Sequence, residues 1–223
     1  MKLCKTKLSQ KRHFLIGLSI VFLPMLLSAQ APEPPLPVEL MFGHQGVYFQ
    51  LVIKKKFAPE SKLGFFSVAT FTASYDEPSE ASITLPVNIN YSLGKGFALQ
   101  AGASVNSVAG FSPMVGPQHN YASRKFLAVT VASYLINEGH DVSIFGLYEY
   151  RPTINDKWSH YSRIQFVYNH SLGEKSHNRS YLYLRYGVKK KSMAFGLGAN
   201  LDRYGPYKSF HDNYGVFVKW EFR

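Results

Sequence analysis

Between Ala81 and Leu93 every odd position is apolar or aromatic: Ala81, Ile83, Leu85, Val87, Ile89, Tyr91 and Leu93. The even positions are Ser82, Thr84, Pro86, Asn88, Asn90 and Ser92. A helix would mix these two sets around its circumference, whereas a strand sends them to opposite faces. After the turn Gly94-Lys95-Gly96 the alternation resumes, with Phe97, Leu99, Ala101, Ala103 and Val105 on one face. Ala98, Gln100, Gly102, Ser104 and Asn106 fall on the other. The same texture recurs around 47–54, 127–132, 142–151, 163–169, 181–188, 193–202 and 213–222, and 64–75 reads as a further strand with both faces mixed. It predicts about ten strands, with eight or twelve as alternatives. Most approach the roughly 9–11 residues that cross an outer membrane at a tilt. Turn formers separate the segments, as at Asp76-Glu77-Pro78-Ser79, Asn137-Glu138-Gly139 and Gly205-Pro206.

Period two is common to soluble β-proteins and membrane barrels; the chemistry of the two faces tells them apart. Here the second face is dominated by Gly, Ala, Ser, Thr, Asn and Gln, with few Lys or Glu. That composition suits the crowded interior of a narrow barrel. Aromatic side chains (17 Phe, 15 Tyr and 2 Trp in 223 residues) concentrate near strand ends, at Tyr91, Tyr148, Tyr150, Trp158, Tyr168, Trp220 and Phe222. Rings with a polar edge belong at a membrane–water boundary. A sheet in lipid can leave no edge unpaired, so the fold class expected is all-β: a closed antiparallel up-and-down transmembrane β-barrel, apolar rows outward.

The first 29 residues read as an export signal. Lys2, Lys5, Lys7, Lys11 and Arg12 precede the apolar run Phe14–Leu23, Pro24 breaks it, and Leu27-Ser28-Ala29 offers a cleavage point after Ala29. The run is short of the ~20 residues of a spanning helix. Cys4, the one cysteine, falls within the leader, so no disulfide framework and no cysteine-based metal site is expected. Losing five basic and no acidic residues lowers the net charge from +11 to +6, which weakens any case for a nucleic-acid partner. Residues 30–37 form a proline-dense lead-in, and 38–223 read as one domain.

The tail Asn213-Tyr214-Gly215-Val216-Phe217-Val218-Lys219-Trp220-Glu221-Phe222 resembles the C-terminal strand of bacterial outer membrane proteins. In that family a polar residue, a glycine and alternating hydrophobics ending on an aromatic mark the last strand for the barrel-assembly machinery. Arg223 departs from the pattern by following the terminal aromatic. With the leader and the strand repeat, the chain looks like the small outer membrane barrels of Bacteroidetes. The resemblance implies location, fold and contact with outer membrane lipids, and no activity.

The inner face by parity carries the charged residues Lys54, Glu149, Arg151, Arg163, Arg185, Asp202, Lys219 and Glu221, and the polar Gln50, Asn88, Asn90, Gln100, Gln165 and Asn200. They either line a narrow pore for small solutes, with a slight preference for anions, or pair with one another and fill the lumen. Glu149 and Arg163 fall on neighbouring strands, as do Arg163 and Arg185. Residues 107–122 lack clear alternation; with ten strands they fall at the periplasmic end, where turns are normally short, so either they form an unusual inner loop that folds into the lumen or the strand count is eight or twelve. Phe111, Met114, Gln118 and His119 are the segment's candidates for ligand or partner contact. No cofactor is expected, and no histidine spacing suits a metal.

Two other functions compete. Outer membrane lipid A deacylases use His and Ser on the outward face, and His170-Ser171 invites that comparison. Adjacent strand residues point in opposite directions, however, so the pair needs more than adjacency to react. A soluble periplasmic lipid-binding β-protein is the other.

Overall fold

The computed structural model describes residues 35–77, 79 and 81–222. The expected leader, its cleavage point at Ala29, most of the proline-dense lead-in and Arg223 lie outside the described residues. Twelve strands are described: β1 (Leu36–Gly43), β2 (Gly46–Lys56), β3 (Leu63–Ser74), β4 (Ser82–Gly94), β5 (Phe97–Asn106), β6 (Gly110–Ala122), β7 (Phe126–Leu135), β8 (Asp141–Tyr150), β9 (Ser159–Ser171), β10 (Ser176–Lys190), β11 (Met193–Tyr204) and β12 (Ser209–Phe222). Each pairs with its neighbours in sequence, and β1 closes on β12. The sheet is a closed up-and-down barrel without a free edge, and the described residues contain no α-helix.

The count is twelve rather than about ten because β1 and β6 escape the alternation. β1 begins inside the proline-dense stretch, where Leu36 and Pro37 already pair with Phe222 and Glu221. β6 occupies most of 107–122, the segment expected to be either an inner loop or the mark of a different strand count; only 107–109 form a turn, and that turn lies at the end away from the chain termini. Proline disguises this strand. Pro117 falls where the β6–β7 ladder is interrupted, between Val115↔Tyr134 and Gln118↔Val131, so its missing N–H removes no ladder bond there.

Turn chemistry fixes the register elsewhere. Lys95 and Gly96 join β4 to β5 with φ of 50° and 85°, the double left-handed geometry that matches the twist of a two-residue hairpin. Gly187 and Gly196 face each other across β10 and β11. A Cβ on either would lie 2.1–2.2 Å from a carbonyl oxygen of the other strand, so the two backbones approach there as no other residue type allows.

Side chains divide between the two faces as a membrane barrel requires. On β4, Ile83, Leu85, Val87 and Ile89 are 40–50% exposed, whereas Asn88 between them is 4% exposed. At the end nearest the termini, Tyr91, Phe97, Tyr121, Tyr150, Trp220 and Phe222 are exposed on the exterior. The expected outward apolar row fails on β7. Val129 and Val131 are buried inside, while Thr130 faces outward and its hydroxyl meets that of Tyr148 at 2.8 Å. Both faces of 127–132 are small or apolar, so composition alone does not orient that strand.

Candidate functional site: the lumen

The lumen has two dissimilar walls. The arc of β8 to β12, completed by β1, is charged. Arg163 on β9 and Arg185 on β10 are direct cross-strand partners, and both are 2% exposed. Two guanidinium groups held side by side in a dry interior require an anion. Glu39 on β1 supplies it: its Oε1 accepts from Arg163 Nη2 at 2.7 Å and from Arg185 Nε at 2.8 Å. β1 neighbours neither β9 nor β10, so the carboxylate reaches them across the barrel. Arg185 Nη1 also donates to the carbonyl of Leu184 and to Asn200 Oδ1, each at 2.8 Å.

A second cluster lies nearer the termini. Glu149 accepts from Lys219, again across the lumen, and from the Tyr161 hydroxyl at 2.9 Å. Glu221 pairs with Lys189, with Arg151 3.8 Å away. Towards the opposite end, Asp202 accepts from Arg179 at 2.9 Å and from the Tyr183 hydroxyl at 3.1 Å. Aromatic rings fill the remaining space: the Arg185 guanidinium lies over Tyr48 at 5.4 Å and Phe217 at 5.8 Å. Such faces offer a cation a partly dry but favourable contact.

The arc of β3 to β7 is neutral. Phe66, Val68, Val129 and Val131 form a buried apolar cluster with Leu147 of β8. Amides and hydroxyls occupy the rest, and Gln100 Nε2 donates to Ser133 Oγ at 3.0 Å. Above the apolar cluster the lumen widens to a cavity of about 390 Å³ whose lining includes Val108 and Ala109 of the 107–109 turn, Gly110 and Asn137. Phe66, Val68, Val131 and Phe145 form the apolar part of this cup's lining.

Of the residues singled out by parity, Gln50, Asn88, Gln100, Glu149, Arg163, Gln165, Arg185, Asn200, Asp202 and Lys219 are buried. Asn90, Arg151 and Glu221 are half-buried, and Lys54 is exposed at the terminal end of β2. Phe111, Met114, Gln118 and His119 are strand residues of β6 and not members of a loop. Phe111 is exposed, Met114 and Gln118 are buried, and His119 lies half-buried against the Phe97 ring. Ser171 is committed to its turn: its hydroxyl donates to the Gly139 carbonyl at 2.8 Å and accepts from the Glu174 amide. Neither of these partners is His170, whose Nδ1 is buried without a hydrogen bond.

Sequence reasoning missed Glu39, the residue on which the charged arc closes. The signal was an isolated acid alternating with Val38, Leu40 and Phe42 directly after the prolines.

No protein-family model and no curated protein matches the sequence. Among solved structures, a KdgM porin overlays with a TM-score of 0.48 at 13% identity, covering 84% of this chain and 99% of that one. A NanC porin gives 0.45 at 10% identity, with coverage of 83% and 98%. OccK5 (OpdH) of Pseudomonas aeruginosa gives 0.40 at 11%, with coverage of 78% and 66%. At this distance the likenesses assign no solute to this chain; the barrel is established by its own strand pairing.

Proposed function

We propose that the chain is a non-enzymatic outer membrane barrel of the Bacteroidetes type, exported with cleavage near Ala29, and that its lumen is a narrow channel for small solutes whose waist is filled by side chains. One observation carries the reading. In a closed barrel, ion-paired residues as buried as Glu39, Arg163 and Arg185 meet across the centre, while rows such as Ile83 to Ile89 stand exposed outside. Lipid is the solvent for which that inversion is stable. With an even number of strands the termini share the periplasmic end, and the cup opens outward. The terminal aromatic Phe222 of β12 is the residue offered to the barrel-assembly machinery.

The decisive experiment is single-channel recording in planar bilayers. Wild-type protein should give small, infrequent conductance steps. Glu39→Gln, which loosens the clamp on Arg163 and Arg185, should give larger and more frequent ones with increased anion selectivity. Silence from both proteins would remove the channel and leave a purely structural barrel, a role that the filled waist also supports.

A further inference from the structure

Charge is divided unequally between the two ends of the barrel. At the end that holds the chain termini the sheet makes five hairpins, and every one of them exposes a cation. Lys54, Lys55 and Lys56 finish β2, Lys62 leads into β3, and Lys95 joins β4 to β5. Further round, Arg124 and Lys125 join β6 to β7, Lys157 lies between β8 and β9, and Lys190 and Lys191 stand where β10 turns into β11. Among the described residues, the exposed acids facing these ten cations are Glu60 and Asp156. The opposite end reverses the balance, exposing Lys175, Arg203 and Lys208 beside Asp76, Glu77, Glu138 and Glu174. Over the exposed described residues the excess is thus +8 at one rim and −1 at the other.

The course of the basic rim points to its partner. Cations on one hairpin would suit a local contact, whereas cations on all five encircle the barrel, and what encircles a membrane barrel is lipid. Two of the ammonium groups lie against the exterior girdle of rings. Lys62 Nζ is 5.9 Å from the centre of the Tyr91 ring, and Lys190 Nζ is 5.1 Å from that of Trp158. Tyr91 is 45% exposed in the outward row of β4, and Trp158 packs edge-on against the outward ring of Phe195 at 6.1 Å. These side chains therefore run along the outer wall at the level of the interfacial aromatics, which is the depth of lipid headgroups. An acidic body docked end-on would call for cations turned below the mouth instead.

We propose that the basic rim binds anionic phospholipid, of the phosphatidylglycerol type, in the leaflet that surrounds the terminal end of the barrel. The assignment rests on the reading of the chain as an outer membrane barrel with its termini in the periplasm, and it names the lipid class that this reading leaves open. A zwitterionic headgroup carries its own cation beside the phosphate and gains little from a ring of lysines. A glycerol headgroup leaves the phosphate charge uncompensated, and each nearby Lys or Arg strengthens its attraction to the surface.

Tryptophan quenching tests this, because both tryptophans of the chain, Trp158 and Trp220, stand at this rim. The barrel is refolded into phosphatidylcholine vesicles containing a minor fraction of lipid brominated on its acyl chains, either phosphatidylglycerol or phosphatidylcholine. Quenching by brominated phosphatidylcholine reports that the rim meets lipid at all; its absence refutes the membrane barrel rather than the lipid preference. With that signal present, phosphatidylglycerol should quench as though its affinity for the rim were about fivefold higher, the effect of one surface cation per lipid. The preference should collapse in about 1 M NaCl, where the screening length falls to about 3 Å. The variant Lys62→Gln/Lys125→Gln/Lys157→Gln/Lys190→Gln/Lys191→Gln should lose most of it while heat-modifiable migration on a gel is retained. Should that variant not fold, the salt titration of the wild-type barrel decides. Equal quenching by the two lipids, a preference that survives high salt, or full preference in the folded variant would each overturn the proposal, the first by leaving the rim to an acidic partner in the aqueous phase.

Discussion

The two walls of the lumen solve the same problem by opposite means. Strands β8 to β12 with β1 fill much of their share of the interior with ion pairs, whose partners often sit on strands that are not neighbours. Strands β3 to β7 fill theirs with Phe66, Val68, Val129 and Val131, and leave amides and hydroxyls around open space. The first solution is rigid and intolerant, because removing one ion strands another in a dry environment. The second is tolerant, because truncating an apolar or neutral side chain leaves only a void or a single lost hydrogen bond. The open interior volume lies between the neutral wall and the far ends of β8 to β11, and mechanical closure lies where Glu39, Arg163 and Arg185 meet.

The sharpest way to break this contrast is to remove Glu39. Glu39→Ala leaves Arg163 and Arg185 unneutralised and should cost about 3–5 kcal/mol in urea unfolding of the refolded barrel; a loss no greater than that from a polar change on the neutral wall would abolish the distinction. The exterior should not share it. Val87→Arg on β4 and Ile164→Arg on β9 should each cost about 2–4 kcal/mol for insertion into liposomes, since both arcs face the same lipid. Unequal penalties would mean that one arc is shielded outside as well as different inside. Coupling comes next. In a double-mutant cycle, Lys219→Met alone should be worse than Glu149→Leu with Lys219→Met together, with an interaction energy of about 0.5–3 kcal/mol; strict additivity would show the pair to be decorative. The smallest effect belongs to the neutral wall, where Ser133→Ala removes the Gln100 bond and should cost about 1 kcal/mol by the same urea titration.

Much of this was legible in the residues, and the failures have physical causes. Alternation revealed ten strands, and with them the adjacency of Glu149 to Arg163 and of Arg163 to Arg185, because register on neighbouring strands follows from parity and turn length. What parity cannot show is which side chains meet across a closed barrel. Glu149 lies beside Arg163 yet bonds Lys219, and Arg163 turns to Glu39. Those choices depend on closure, a property of the whole sheet. β6 was hidden because 107–122 lacks clear alternation, with Pro113 and Pro117 interrupting it, although the ladder interruption accommodates Pro117. β7 was turned inside out because Ala128, Thr130 and Ala132 are small enough to face lipid while the larger valines fill the centre.

The position of Glu39 bears on how the molecule is made. It sits on the first strand in chain order, and its two arginines sit on the ninth and tenth. In an unclosed ribbon these groups are separated by most of the sheet's width, and both arginines stay hydrated. Only when the first strand zips to the last does the carboxylate arrive. Sealing the seam and quenching the charge are thus one event, and a mispaired ribbon is denied the reward that the finished cylinder collects.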